Sequence, residues 1–211
     1  MSLIDNLIKE GWLKTPRIIA AFRKIKREDF LPEGKKELAK LNEALPIGYS
    51  QTISQPLVVA FMLELLAPES GEKILDIGSG SGWTSALLAE LVGEKGRVIA
   101  VEIIPDFKEF GEKNIAKYNF IEKGIVEFVC ADGSKGYPNI SSRPELREGF
   151  DKILCSATAK ELPEEWKEQL KIGGRIVTPI DSSIWVFKKK SQSLFESKEY
   201  PGFAFVPLVS E

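Results

Sequence analysis

Lys73-Ile-Leu-Asp-Ile-Gly-Ser-Gly-Ser-Gly-Trp83 is an apolar run that closes on an acid, Asp76, and three alternating glycines. Ile74, Leu75 and Ile77 have the composition of a strand covered on both faces. Gly78, Gly80 and Gly82 permit a sharp turn and let a ligand approach where a Cβ would stand. The next stretch, Thr84-Ser-Ala-Leu-Leu-Ala-Glu-Leu91, sets Leu87, Leu88 and Leu91 on one helical face. Strand, tight turn and helix in that order offer a place for a nucleotide-like ligand at the strand's carboxyl end.

The spacing of the glycines narrows the ligand. A dinucleotide fingerprint reads Gly-x-Gly-x-x-Gly and aims a helix start at a pyrophosphate. Here the pattern is Asp76-x-Gly78-x-Gly80-x-Gly82, which resembles the first motif of S-adenosylmethionine-dependent methyltransferases of the Rossmann-like class. That resemblance implies a loop that admits a ribose and an amino-acid tail rather than one that cradles phosphates. A glycine turn after a strand also serves purely structural ends, so the spacing alone leaves both readings open.

Composition sets outer bounds. The 211 residues are 43% hydrophobic, enough for a sizeable core, and no stretch in the middle reads as a linker. Lys and Arg number 29 against 31 Asp and Glu, a net charge of −2, so no global field points to nucleic acid or a membrane surface. No apolar run approaches membrane-spanning length and no leader pattern opens the chain. The expectation is a cytoplasmic protein that binds neither membrane nor nucleic acid, and a monomer. Cys130 and Cys155 lie in apolar strand-like runs and read as buried thiols rather than ligands or bridges. There is no histidine, so any chemistry must proceed without imidazole, and nothing points to a metal.

Toward the N-terminus, Ser2 to Lys9 reads as a short amphipathic helix. Thr15-Pro16 opens a second, with Thr15 as a candidate cap and Ile18, Ile19, Ala21, Phe22 and Ile25 as its apolar stripe. The basic cluster Arg23 to Arg27 precedes Glu28 and Asp29 and reads as a solvated helix face. Leu45-Pro-Ile-Gly-Tyr-Ser-Gln-Thr-Ile-Ser-Gln-Pro56 shows no clean period and reads as an ordered loop. Its hydroxyls lie just before an apolar helix opened by Gln55-Pro56. Ser54 is either a ligand group or simply that helix's cap, and spacing does not decide.

Taken together, Leu45 to Pro56, Leu75-Asp-Ile-Gly-Ser-Gly-Ser-Gly82, Asp132-Gly133-Ser134 with Gly136-Tyr137, Leu170 to Pro179 and Phe205-Val-Pro-Leu208 resemble the protein-L-isoaspartate O-methyltransferase family. Arg27-Glu-Asp-Phe-Leu-Pro32 resembles that family's first-helix exit, so the likeness covers nearly the whole chain. It implies S-adenosyl-L-methionine as methyl donor, S-adenosyl-L-homocysteine as product, and damaged proteins or peptides carrying isoaspartyl residues as partners. It implies Ser54 as the catalytic hydroxyl, with Tyr49, Thr52 and Ile53 on the substrate. The donor site it implies comprises Asp76, Gly78, Gly80, Gly82, Glu102, Asp132 and Gly133. Asp181 stands where the family commonly has glycine.

The residues add their own support. Arg97-Val-Ile-Ala-Val-Glu102 is a second strand ending in a carboxylate placed to accept from a ribose diol. Ile125 to Cys130 and Phe150 to Cys155 read as third and fourth strands, and Pro163 to Leu170 as a helix stopped by Gly173-Gly174. Arg175 to Ile180 reads as the fifth strand, with further antiparallel strands at Ser183 to Lys188 and around Phe203 to Val209. The expected fold is α/β: a Rossmann-like, doubly wound, mainly parallel sheet with helices on both faces and antiparallel strands near the C-terminus. It forms one domain over residues 1–211, with a helical substrate-side region at 1–66 and the donor-binding core at 73–211. Two other readings compete: a methyltransferase of this fold acting on RNA or a small molecule, and a non-catalytic binder of the donor.

Overall fold

In a computed structural model the chain is described over residues 2–138 and 140–210; Met1 and Glu211, the ends of the expected domain, and Asn139 lie outside the described residues. Helix α1 (Leu3–Lys9) starts from a reciprocal cap, Ser2 Oγ accepting from the Asp5 amide while Asp5 accepts from the Ser2 amide. Helix α2 (Pro16–Lys24) has Pro16 in its first turn, but Thr15 does not cap it. The Thr15 hydroxyl donates instead to Glu64 at 2.7 Å, and Glu64 also accepts the amides of Lys14 and Thr15 at 2.8 Å. Glu64 belongs to α3 (Pro56–Leu66), so the two helices are joined at that carboxylate.

The expected loop at 45–56 contains a small hairpin, β1 (Leu45–Gly48) paired antiparallel with β2 (Gln51–Ile53). Tyr49 and Ser50 both take positive φ, +46° and +57°, the conformation that a tight hairpin turn demands. Neither residue is glycine or asparagine, which is why its sequence carries little turn signal.

The central sheet follows in chain order as β3 (Lys73–Ile77), α4 (Trp83–Val92), β4 (Arg97–Glu102), α5 (Pro105–Ala116), β5 (Val126–Cys130), β6 (Phe150–Cys155), α6 (Glu164–Gln169), β7 (Leu170–Ile180), β8 (Ser183–Lys189) and β9 (Phe195–Pro201). Its spatial order is β5-β4-β3-β6-β7-β8-β9; β5 through β7 are parallel, and β8 and β9 are antiparallel to their neighbours. Connections depart in opposite directions from β3, which opens a crevice at its carboxyl end.

Side chains alternate across the sheet. Ile74, Val98, Ala100, Leu154 and Val177 join the core formed with α1 to α5. Leu75, Ile99, Val101, Ile153 and Ile176 join a second core around Trp166 of α6 and Leu146. Helices therefore cover both faces, unevenly. Among the described residues no helix is long and apolar enough to cross a membrane.

Four further local expectations change. First, Gly173 and Gly174 do not separate helix from strand: α6 ends at Gln169 and β7 begins at Leu170, with a bulge against β6 between Phe150↔Leu170 and Lys152↔Arg175. A Cβ on Gly174 would stand 2.8 Å from the Lys171 carbonyl, so the bulge needs glycine there. Second, the last strand is Phe195–Pro201 rather than Phe203 to Val209. The tail instead crosses the carboxyl edge of the sheet, where Val206 accepts the Thr158 amide and Leu208 donates to the Thr158 carbonyl, both at 2.8 Å.

Third, Cys130 is exposed at the end of β5, whereas Cys155 is buried and its thiol is pushed up to about 12 by that burial. Fourth, Arg27 is not part of a solvated face; it is 7% exposed. Asp181, in the β7–β8 turn, has φ +53°, the left-handed conformation that explains a glycine preference at that position.

Candidate active site

The turn between β3 and α4 is built from its backbone. The amides of Gly78 and Ser79 donate to the Val101 carbonyl at 2.9 and 3.2 Å, which ties the turn to β4, and the Gly82 amide donates to Ser79 at 2.8 Å. Gly78, Gly80 and Gly82 have φ of +72°, +51° and +85°, so each occupies a conformation that side-chain-bearing residues avoid. Glu102, at the tip of β4, is 6% exposed. Its Oε2 accepts the Gly80 amide at 2.8 Å and its Oε1 the Ile104 amide at 3.0 Å. A carboxylate has about four acceptor positions, so two remain for other donors.

Beneath the turn lies Asp76, fully buried, with Oδ2 accepting from the Ser85 hydroxyl at 2.5 Å and Oδ1 without a partner among the described residues. Burial pushes this carboxyl up to about 7; the Ser85 hydrogen bond opposes the rise and the charge of Glu102 adds to it. The Ser79 hydroxyl is likewise buried and has no partner among the described residues. Unpaired acceptors at and beneath a glycine turn suit a ligand that brings cationic and hydroxyl donors.

The pocket at the crevice has about 780 Å³ of space, including its open mouth. It is lined by Ser79 and Gly80 of the turn, by Glu102, Ile103, Ile104 and Phe107, and by the hairpin residues Ile47, Gln51, Thr52 and Ile53, with Ser54. Ser156 and Ala157 at the end of β6 and the tail residues Val206 to Val209 complete the wall. Ser54 does not cap α3, whose cap position is Gln55.

Of the residues singled out from sequence, Ser54, Thr52, Ile53, Gly78, Gly80, Glu102 and Gly133 meet at this one pocket. Asp76 and Gly82 lie under and behind the turn rather than on its surface; Gly82 packs against the backbone of Gly111 in α5. Tyr49 sits at the hairpin tip, 64% exposed. Its hydroxyl donates to Asp106, and its ring meets Phe107 edge-on at 5.5 Å. Asp132 is buried with Oδ1 accepting from the amide and hydroxyl of Ser134 at 2.9 and 2.6 Å, while Gly133, next in sequence, borders the pocket.

Several lining residues escape a reading of the sequence. Ile103 and Ile104 follow Glu102 directly, and an apolar pair just past an acid at a strand end is a signal for a hydrophobic wall. Phe107 and Val209 carry no such local mark. Arg27 is hidden more deeply: it follows a helix in a basic cluster, yet it donates to the carbonyl of Ser54.

Comparison with known proteins adds a second line. The sequence pattern of the family described as protein-L-isoaspartate(D-aspartate) O-methyltransferase matches residues 1–211. A Thermococcus onnurineus protein named protein-L-isoaspartate O-methyltransferase is 42% identical over 215 residues, covering 99% of this chain and 92% of its own. One of the same name from Methanopyrus kandleri is 39% identical over 213 residues, covering 99% and 90%.

Among solved structures, a Plasmodium falciparum chain named for the same activity, in complex with S-adenosyl-L-homocysteine, superposes with a TM-score of 0.87 at 22% identity over 98% of this chain and 96% of that one. That likeness shows the fold. A structure named protein-L-isoaspartate O-methyltransferase gives 0.85 at 29% identity over 99% of this chain and 65% of that one.

Proposed function

This chain belongs to the protein-L-isoaspartate(D-aspartate) O-methyltransferase family, and from that membership and the pocket's geometry we infer its reaction: transfer of a methyl group from S-adenosyl-L-methionine to the free α-carboxylate of L-isoaspartyl residues. The observation that carries the inference is the meeting of Ser54, Glu102 and the glycine turn at one pocket.

The donor supplies a methyl group on a positively charged sulfur. Glu102 holds the ribose hydroxyls through the acceptor positions that Gly80 and Ile104 leave open. Ile103, Ile104 and Phe107 offer an apolar face to the adenine, and the turn at Gly133 closes its edge. The Ser79 hydroxyl and the turn's backbone receive the amino-acid tail, with the Asp76 carboxyl buried beneath the turn.

On the acceptor side, Ser54 donates a hydrogen bond that orients the attacking carboxylate, with Thr52 and Ile53 along the hairpin and Tyr49 at the rim. A carboxylate is ionised at neutral pH, so no general base is needed and the absence of histidine is no obstacle. The bond from carboxylate oxygen to methyl carbon forms as the carbon–sulfur bond breaks, and the sulfur departs neutral. Because opposite charges cancel along that path, water that solvates them separately slows it. The hairpin and the tail across the mouth exclude that water.

Isoaspartyl residues occur in unrelated chains, so an extended backbone is the natural common feature to bind. We place the enzyme in the cytoplasm, acting as a single-domain monomer whose residues 1–66 form the substrate side, without nucleic acid as substrate.

The test supplies labelled donor with an isoaspartyl peptide, its aspartyl twin and bulk RNA. Base-labile label on the isoaspartyl peptide alone is the expected result, and label on RNA or on both peptides alike would overturn the assignment.

A further inference from the structure

The Arg27 guanidinium lies in the interior with no carboxylate of the described residues in salt-bridge reach. Nη1 and Nη2 donate to backbone carbonyls of two stretches, 39–43 and 54, while Nε, also buried, has no hydrogen-bond partner among the described residues. Nη1 donates to Leu41 at 3.0 Å and Ala39 at 3.3 Å; Nη2 donates to Glu43 at 2.7 Å and Ser54 at 3.0 Å. The plane lies over the Trp83 ring, with Cζ 5.4 Å from its centroid. Trp83 opens α4 directly after Gly82 and lines the pocket. One planar group thus touches the residue that faces the acceptor and the residue that anchors the donor's turn.

The cost is plain. A buried cation without an acid is expensive, and the removal of water draws this guanidinium down to about 10. A packed apolar side chain would avoid that cost but would leave four inward carbonyls without donors, and lysine has no flat fork to serve both sides at once. What the arrangement secures is orientation. A carbonyl held in place fixes the rotation of the Ser54 peptide plane, and with it the direction of the Ser54 side chain. A shift of about 1 Å in such a group costs about a hundredfold in rate.

We propose that Arg27 is a positioning residue, which holds the backbone of Ser54 at a set distance from the glycine turn so that acceptor oxygen and donor methyl meet in line. The proposal rests on the role given to Ser54 above.

A cycle of variants in the full chain tests it. Arg27→Lys keeps the charge and loses the fork. Its kcat on an isoaspartyl peptide is expected to fall by about tenfold or more, with the calorimetric Kd for S-adenosyl-L-homocysteine within about twofold of the parent. The double variant Arg27→Lys/Ser54→Ala should be no more than about twofold slower than Ser54→Ala, because the first acts through the second. Losses that multiply in the double variant, or a donor affinity that falls in step with kcat, overturn the proposal. Unchanged turnover in Ser54→Ala alone removes the role of Ser54 instead. Should Arg27→Lys not fold, guanidinium nitrogen NMR on the parent decides. Restrained rotation gives separate Nη–H signals that shift with the isoaspartyl peptide and not with its aspartyl twin, and a single averaged signal overturns the proposal.

Discussion

Glu102 accepts the amide of Gly80 at 2.8 Å, so the acid at the end of the second strand of the sheet braces the turn after the first. That bond shapes the turn, and the proposed reaction gives Glu102 a second duty, holding the ribose. Glu102→Ala removes both. Donor affinity is expected to fall at least about tenfold, a loss of about 1.4 kcal/mol or more, with the thermal midpoint lowered as the Gly80 and Ile104 amides lose their acceptor. Glu102→Gln keeps an acceptor for only one of the two amides, so it should recover part of the midpoint while restoring less of the affinity. Calorimetry and thermal melts on both variants check this.

Ser54→Ala separates the two halves of the pocket. With the donor side untouched, the Kd for S-adenosyl-L-homocysteine should stay within about twofold of the parent, while kcat on an isoaspartyl peptide falls at least about tenfold, or about 1.4 kcal/mol of transition-state stabilisation. Steady-state kinetics beside calorimetry give both numbers.

Asp76 ties stability to pH. Its folded carboxyl keeps a proton up to about pH 7, whereas an unperturbed one releases it near 3.8. Between those values the folded state binds more protons than the unfolded, so the contribution of Asp76 is full below the lower value, declines as pH rises and is gone above about 7. Asp76→Asn removes this dependence. The variant should gain on the parent between pH 4 and pH 8 by on the order of 2–4 kcal/mol, measured by urea unfolding at each pH.

Tyr49→Phe tests whether the hairpin is latched over the donor. The substitution removes the hydrogen bond to Asp106 and keeps the ring against Phe107. An exposed hydrogen bond contributes about 0.5–1 kcal/mol, so product dissociation should quicken by about threefold with the melting temperature within about 2 °C of the parent. Stopped-flow release of S-adenosyl-L-homocysteine reports the rate.

What the sequence disclosed and what it withheld divide along the range of the interactions. The glycine turn and Glu102 were legible because each is set by residues within a few positions: an apolar run, a break and an acid at a strand end. That the sheet is mainly parallel followed from alternating strand and helix patterns, whereas the spatial order of its strands did not. By contrast, the bulge in β7 turns on how Gly174 meets the carbonyl of Lys171 while β6 lies alongside, and glycine pairs after a helix look like a stop.

The hairpin at residues 45–53 places Tyr49 and Ser50 in a conformation that their chemistry does not advertise. The edge strand β9 is mostly polar and solvent-facing, so the more apolar tail after it was the stronger strand signal. Arg27 is the clearest case. Its sequence neighbours are charged and its partners at 39–43 and 54 lie 12 to 27 residues away, so only the folded backbone shows that it points inward.

The most direct measurement is a crystal structure of the enzyme with S-adenosyl-L-homocysteine and an isoaspartyl peptide. The expected complex has the ribose hydroxyls on Glu102, the sulfur beside the glycine turn, and the isoaspartyl α-carboxylate hydrogen-bonded to the Ser54 hydroxyl in line with that sulfur. A peptide carboxylate bound away from Ser54, or a ribose that makes no contact with Glu102, would contradict the proposed reaction.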